Sequence, residues 1–272
     1  SSDLPLVEAP PRADDEPLLL EQPASRVVCG SPDGSTPRKT YIWPRKAELL
    51  DYSGFSLSRL TDPRFSHMLL LAGWIVYFIC YFLTENLIPP ERLHLVHGFL
   101  DDVIPFREGF VVFYVSWFVL CVGALARTLF TNVDRFRRLQ IFIMITQALA
   151  MVTYVVWPSI QDLRPEPFPR SNIFTWVLGI IYAFDTPTGV CPSLHVGYSL
   201  GFLSVGLKDD TLSRRAKVGL FVWIVCICAS VCFVKQHSSI DVLAALPLGL
   251  VAEILVYGKS YWLPKFAKLR QS

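Results

Sequence analysis

The chain has 272 residues, 52% of them hydrophobic and 13% aromatic, with a formal net charge of +2. So apolar a composition does not suit a soluble domain of this size, and the apolar residues fall in long uncharged runs that point to a bilayer. The basic residues are shared among short links between those runs, which leaves no case for a nucleic-acid partner.

Residues 1 to 40 are rich in Pro, Ser, Asp and Glu. They have too little apolar surface to offset the entropy of ordering and read as a disordered tail. Residues 41 to 66 place Tyr41, Trp43, Tyr52, Phe55 and Phe65 among basic residues, as an interfacial approach to the membrane or a linker. The membrane domain follows over residues 67 to 258, with a basic tail at 259 to 272. Six runs approach the roughly 20-residue spanning length: Met68 to Leu83, Phe110 to Phe130, Leu139 to Trp157, Pro192 to Leu207, Val218 to Val234 and Val242 to Tyr257. The predicted fold is therefore an all-α, polytopic six-helix membrane bundle. The fourth run is short, and without it the two histidine strings described below fall on opposite sides of the membrane.

Charge orients the bundle. Arg127, Arg135, Arg137 and Arg138 lie between the second and third runs, Lys208, Arg214, Arg215 and Lys217 between the fourth and fifth, and Lys259, Lys265, Lys268 and Arg270 in the tail. The link after the first run is instead acidic (Glu85, Glu91, Asp101, Asp102, Glu108). The excess of Lys and Arg predicts both termini on the cytoplasmic side of a cell membrane.

Between the runs, two stretches suit helices lying at the surface. In Pro89 to Glu108, Leu93, Val96, His97, Leu100 and Val103 recur at helical spacing. His94, His97, Asp101 and Asp102 in that stretch read as a solvated polar face rather than a metal site. Residues 173 to 184, with Trp176 and Tyr182 suited to headgroup level, form the second. Of the seven cysteines, five lie inside the runs as small apolar residues and none has metal-ligand spacing.

The chemistry is carried by Cys191-Pro192-Ser193-Leu194-His195 and Lys235-Gln236-His237-Ser238-Ser239-Ile240-Asp241. Each string opens an apolar run, where ionisable residues are costly and mark a working site. His237 and Asp241 stand one helical turn apart, so the carboxylate can hold one ring proton and leave the other nitrogen free to attack phosphorus. His195, from a different helix, is placed to protonate the leaving alkoxide. Pro192 suits a first helical turn, Ser193 offers a hydroxyl, and the two helix N-termini converge where an anion must sit. Arg164 and Lys235, with Arg170 behind them, are the candidate cations for the phosphate oxygens. This chemistry needs no metal or other cofactor.

Pro192-Ser193-Leu194-His195 followed by His237-xxx-Asp241 resembles the type 2 phosphatidic acid phosphatase superfamily of integral membrane lipid phosphatases. The resemblance covers residues from about 68 to 258, and Arg164-Pro165 matches the end of that family's first motif. It implies a six-helix bundle, a phosphohistidine on His237 supported by Asp241, and His195 as the acid. Two family cations are missing: Trp157 stands where a Lys is usual, and Val231 follows Ser230 where an Arg is usual. Lys235 and Arg170 are the stand-ins. The stretch from Asp185-Thr186-Pro187 to His195, with Lys235-Gln236-His237-Ser238, is more similar to the branch related to inositol phosphorylceramide synthase, which transfers phospho-headgroups between lipids. The expected partners are a lipid phosphate substrate and the bilayer. The expected activity is hydrolysis at the extracytoplasmic face, with headgroup transfer as the alternative and a non-catalytic phosphate or lipid transporter as the contrasting class.

Overall fold

Residues 49–270 are described by the structure, a computed structural model. The tail expected over residues 1 to 40 lies outside them, as do Tyr41 and Trp43. In chain order, α1 covers Ala72–Leu87 behind a 3-10 turn at Ser66–Leu71, α2 Phe99–Val103, α3 Val111–Thr131, α4 Val133–Val156, α5 Ile173–Phe184, α6 Leu194–Lys208, α7 Arg214–Phe233, α8 Ser239–Tyr257 and α9 Leu263–Leu269. Among the described residues, α1, α3, α4, α7 and α8 are long and apolar enough to cross a bilayer. Their outer faces expose Ile75, Phe78, Val119, Val122, Val222, Leu250 and Ile254, side chains that water would reject and lipid accepts. The chain is an all-α polytopic membrane protein.

Polar caps set the helix starts. Asn132 ends α3 in extended backbone and accepts from the Arg135 N–H at 2.9 Å, so one residue separates two long helices. Asn172 and Thr175 cap α5 reciprocally, and Ser213 caps α7. The α5 bounds coincide with the surface helix expected there.

The fourth expected span departs from the others. At 15 residues, α6 is about 22 Å long, short of a hydrocarbon core of about 30 Å. It runs enclosed against α3, α4, α7 and α8, burying Tyr198, Phe202 and Val205. The chain ahead of it is non-helical and also enclosed: Ser159 Oγ accepts from the Val190 and Cys191 N–H groups at 3.1 and 3.0 Å, and the Tyr154 hydroxyl donates to the Pro192 carbonyl at 2.8 Å. Irregular backbone is tolerated at membrane depth when protein rather than lipid surrounds it. The tight fit of α6 rests partly on Gly201. A Cβ there would stand 2.8 Å from Phe142 Cδ1, and Phe142 is itself fully buried. Gly201→Ala is therefore expected to destabilise the bundle by about 1–3 kcal/mol through overpacking, seen as a lower Tm in detergent. An unchanged Tm would refute this close approach of α4 and α6.

The bundle has two chemically different ends. At one, α6 and α8 both begin. At the other, Lys208 at the end of α6 pairs with Glu253 of α8 at 2.7 Å, and Arg127 and Arg135 pair with Asp209 at 3.3 and 2.7 Å. Arg138 of α4 reaches Ser260 and the Val256 carbonyl at this same end. Leu50 N–H donates to the Phe130 carbonyl there as well, so residues 49–66 and the tail share the basic end.

The surface helix expected within Pro89 to Glu108 is confined to α2. His94–Leu95 instead forms a short parallel pairing with Ser159–Ile160. The His94 and Val96 N–H groups donate to the Pro158 and Ile160 carbonyls, each at 2.8 Å, and Gly98 then starts α2 in extended backbone. The extended pairing satisfies these amides and overrides the helical spacing of the side chains.

Candidate active site

The site is built where α7 turns into α8. After Phe233 the chain folds back, with the Gln236 and His237 N–H groups donating to the Val231 carbonyl at 2.9 and 3.1 Å. Lys235 takes a left-handed φ of 55°, the conformation that usually closes a helix with glycine. Ser238 then caps α8 and Asp241 occupies its third position. The Asp241 Oδ2 accepts from the Ser238 N–H at 2.9 Å and stands 3.2 Å from His237 Nδ1. One carboxylate thus fixes the helix start and the ring that precedes it. With the proton held on Nδ1, the lone pair of His237 is on Nε2.

His195 enters from the first turn of α6. Its ring centroid lies 5.5 Å from that of His237, and it packs against Tyr114 and Trp117 at 4.7 and 4.3 Å. Its carbonyl accepts from Trp117 Nε1 at 3.1 Å. The two histidines meet at the end of the bundle away from the basic cluster. Ser193 caps α6 by position but its hydroxyl makes no capping bond. Its N–H donates to the Asp241 carbonyl at 3.0 Å. Ser193 Oγ, His195 Nε2, Arg164 Nε and Asp241 Oδ1 are buried polar atoms with no hydrogen-bond partner. Four such atoms around one pair of imidazoles mark a place for a polar ligand.

Arg164 is the cation that belongs to this cluster. Nη2 donates to Gln236 Oε1 at 2.5 Å and Nη1 to the Tyr182 carbonyl at 3.2 Å, while the guanidinium lies 4.5 Å above the Tyr182 ring. Gln236 passes the network on, donating from Nε2 to Asp185 Oδ2 at 3.1 Å. The Tyr81 and Tyr114 hydroxyls approach the same carboxylate at 3.5 Å. Burial lifts the Asp185 carboxyl above the usual range, against the pull of the His237 and Arg164 charges.

The structure brings His195, His237, Asp241, Ser193 and Arg164 together and leaves the other two predicted cations out. Lys235 Nζ donates to the Asp101 and Ile104 carbonyls at 2.8 and 2.7 Å. Its charge is spent on the C-terminal end of α2, where helix carbonyls want a cation. Arg170 is exposed and forms a fork with Glu108, its Nε 2.9 Å from Oε1 and its Nη2 3.1 Å from Oε2. Two further expectations are corrected. Pro192 stands before the cap rather than in the first turn of α6, which begins at Leu194. The α8 N-terminus is already supplied with an anion: Asp101 Oδ1 accepts from the Ser239 N–H at 2.7 Å, and Oδ2 accepts from the Ser238 hydroxyl. Only the α6 N-terminus keeps an uncapped side chain for a ligand.

Asp101, Asp185, Gln236 and Tyr114 join the candidate site without a role assigned to them from sequence. By sequence, Asp101 belongs to the solvated face of a surface helix. Asp185 has no role there, although a carboxylate beside apolar helices is itself a signal. The other polar residues of the α2 stretch do not converge: His94 stacks on Trp157 at 5.2 Å, and His97 lies between Asp102 and Asp162 at 2.9 and 3.5 Å. Among the described residues, Cys80, Cys121, Cys191, Cys226, Cys228 and Cys232 are free. Comparison of the chain with protein-family models, curated proteins and solved structures finds no match.

Proposed function

We propose that this chain is a lipid phosphate phosphohydrolase working through a phosphohistidine on His237. The observation that carries the reading is the 5.5 Å approach of the His195 and His237 rings, with Asp241 on the inner nitrogen of His237. In the first step His237 Nε2 attacks phosphorus, the bond to the lipid alkoxide breaks, and His195 gives that oxygen its proton. In the second, His195 takes a proton from water, the hydroxide attacks phosphorus, and the P–N bond breaks to release phosphate. Asp241 stabilises the imidazolium character that develops on His237. Arg164, Ser193 Oγ and the α6 N-terminus receive the non-bridging oxygens. The resemblance to the type 2 phosphatidic acid phosphatase superfamily supports the same roles. The excess of basic residues at the opposite end favours a site facing away from the cytoplasm, in a cell membrane.

The test is phosphate release from a panel of lipid phosphates in detergent, with vanadate as inhibitor. No release from any of them, with the protein folded, would remove this proposal. Within the site, Arg164→Gln is expected to lower kcat/KM by about 10²-fold, whereas Arg170→Gln changes it less than about twofold. Equal effects would mean that the phosphate sits elsewhere.

One observation favours the alternative of headgroup transfer. Among the described residues Arg164 is the one Arg or Lys in the cluster, which also holds the Asp185 and Asp241 carboxylates. A phosphodiester brings one negative charge to that site and a monoester up to two, so the diester is the easier guest. In that reading a lipid or inositol hydroxyl replaces water in the second step. Exchange of labelled headgroup between phosphatidylinositol and ceramide separates the two.

A further inference from the structure

A second feature lies at the basic end, away from the histidines. α3 and α7 are pinned together where Trp223 Nε1 donates to Ser116 Oγ at 2.8 Å. Below that point they flank an apolar cleft of about 480 Å³ that runs to Arg127, Asp209 and Thr128. Its floor is α6, through Phe202, Val205 and Gly206. Its walls carry Gly123 and Gly219, both exposed, and a Cβ at either meets no atom within 4 Å. The side chains that would fill the space are missing from both walls.

The mouth of this cleft is positive. Arg127 and Asp209 line it, Arg135 pairs with Asp209 and Asp210 beside it, and Arg214 and Arg215 lie in the chain between the lining residues Leu212 and Ala216. Hydrogen bonds from Thr211 and the charges of Arg135 and Arg127 hold the Asp209 carboxyl below the usual range despite its burial, so it stays ionised and already paired. Arg214 and Arg215 are different. They occupy the first turn of α7, which contains no acidic residue, and they form no ion pair among the described residues. A helix N-terminus is itself positive, so two exposed guanidiniums there call for an anion. Arg215 also stands one turn before Gly219 and next to Ala216, both of which line the cleft.

We propose that this cleft holds one acyl chain of an anionic glycerophospholipid, with the lipid phosphate bound by Arg215 and Arg127. An alkyl chain fits a slot walled by glycines and floored by apolar side chains. A partner helix about 10 Å across does not enter between two helices that already touch. The phosphate supplies the anion that the first turn of α7 lacks. The site is separate from the histidine cluster and does not depend on any activity there.

The test is native mass spectrometry of the delipidated full chain, titrated with phosphatidylglycerol and with phosphatidylcholine of the same chains. One phosphatidylglycerol should bind at least about tenfold more tightly than phosphatidylcholine. Gly123→Leu with Gly219→Leu fills the slot and should weaken both lipids about tenfold. Arg214→Gln with Arg215→Gln should instead remove only the preference for the anionic lipid. Two results would overturn the proposal. One is equal binding of the two lipids, unaffected by either double variant. The other is a dimer of the wild-type chain that the leucine variant dissociates, which would assign the cleft to a second copy.

Discussion

His237→Ala is expected to abolish lipid phosphate hydrolysis, lowering kcat by about 10⁴-fold or more, because the attacking atom is gone. His195→Ala removes proton transfer but not the nucleophile, so a loss of about 10²–10⁴-fold is expected. The two variants separate when the leaving group needs no proton. With a nitrophenyl phosphate, His195→Ala should recover most of the first step and accumulate an alkali-stable phosphohistidine, since water is no longer activated. His237→Ala should form none. Asp241→Asn tests the third member of the set. An amide can donate to Nδ1 and so push the ring proton to Nε2, which silences the nucleophile while preserving the shape of the helix start. A loss of about 10²–10⁴-fold is expected for that variant. Wild-type turnover in His237→Ala would move the chemistry away from the α7–α8 turn altogether.

The fold was legible wherever one strong local signal decided the outcome. The five long helices follow from apolar runs, and α5 from its apolar pattern over residues 173 to 184. α6 was legible as a segment but not as an interior one, since enclosure by neighbours leaves no mark on a short apolar run. The α2 stretch misleads because Leu93, Val96 and His97 have helical spacing, while the His94 and Val96 amides find partners in the residue 158 to 160 segment, more than 60 residues away in sequence. Side-chain periodicity contains no information about that competition. The same limit applies at the site. His195, His237 and Asp241 were readable because the two strings announce charge at the start of apolar helices. Lys235 and Arg170 were not, because which anion or carbonyl a long flexible side chain reaches depends on the fold. Lys235 lies two residues from His237 and still turns its charge to α2.

Asp101 brings α2 and the α7–α8 turn together, and its replacement should have the largest structural effect. Its carboxylate accepts from the Ser239 N–H at 2.7 Å, the Gly98 N–H at 2.8 Å and the Ser238 hydroxyl. It is buried beside the positive end of α8. Asp101→Ala leaves those three donors without a partner in a closed space, at a cost of about 2–5 kcal/mol. Lys235 depends on the same segment through its bonds to the Asp101 and Ile104 carbonyls, so the turn that sets His237 should loosen as well. Activity should therefore fall through kcat more than through KM, and Asp101→Asn, which keeps one acceptor oxygen, should recover part of both losses. The pH dependence has a definite sign. Burial pushes the Asp101 carboxyl upward, but the bonds from Ser238, Ser239 and Gly98 outweigh it and hold the group below the usual carboxylate range. Its contribution to stability is thus complete above the unfolded value of about 3.9. It is lost as the pH falls through the lower folded value. The Tm gap between wild type and Asp101→Ala should be wide at pH 7 and should narrow below about pH 4. A gap that stays constant through that range, or a variant with normal kcat, would mean that α2 rests on the surface of the bundle without holding His237 in place.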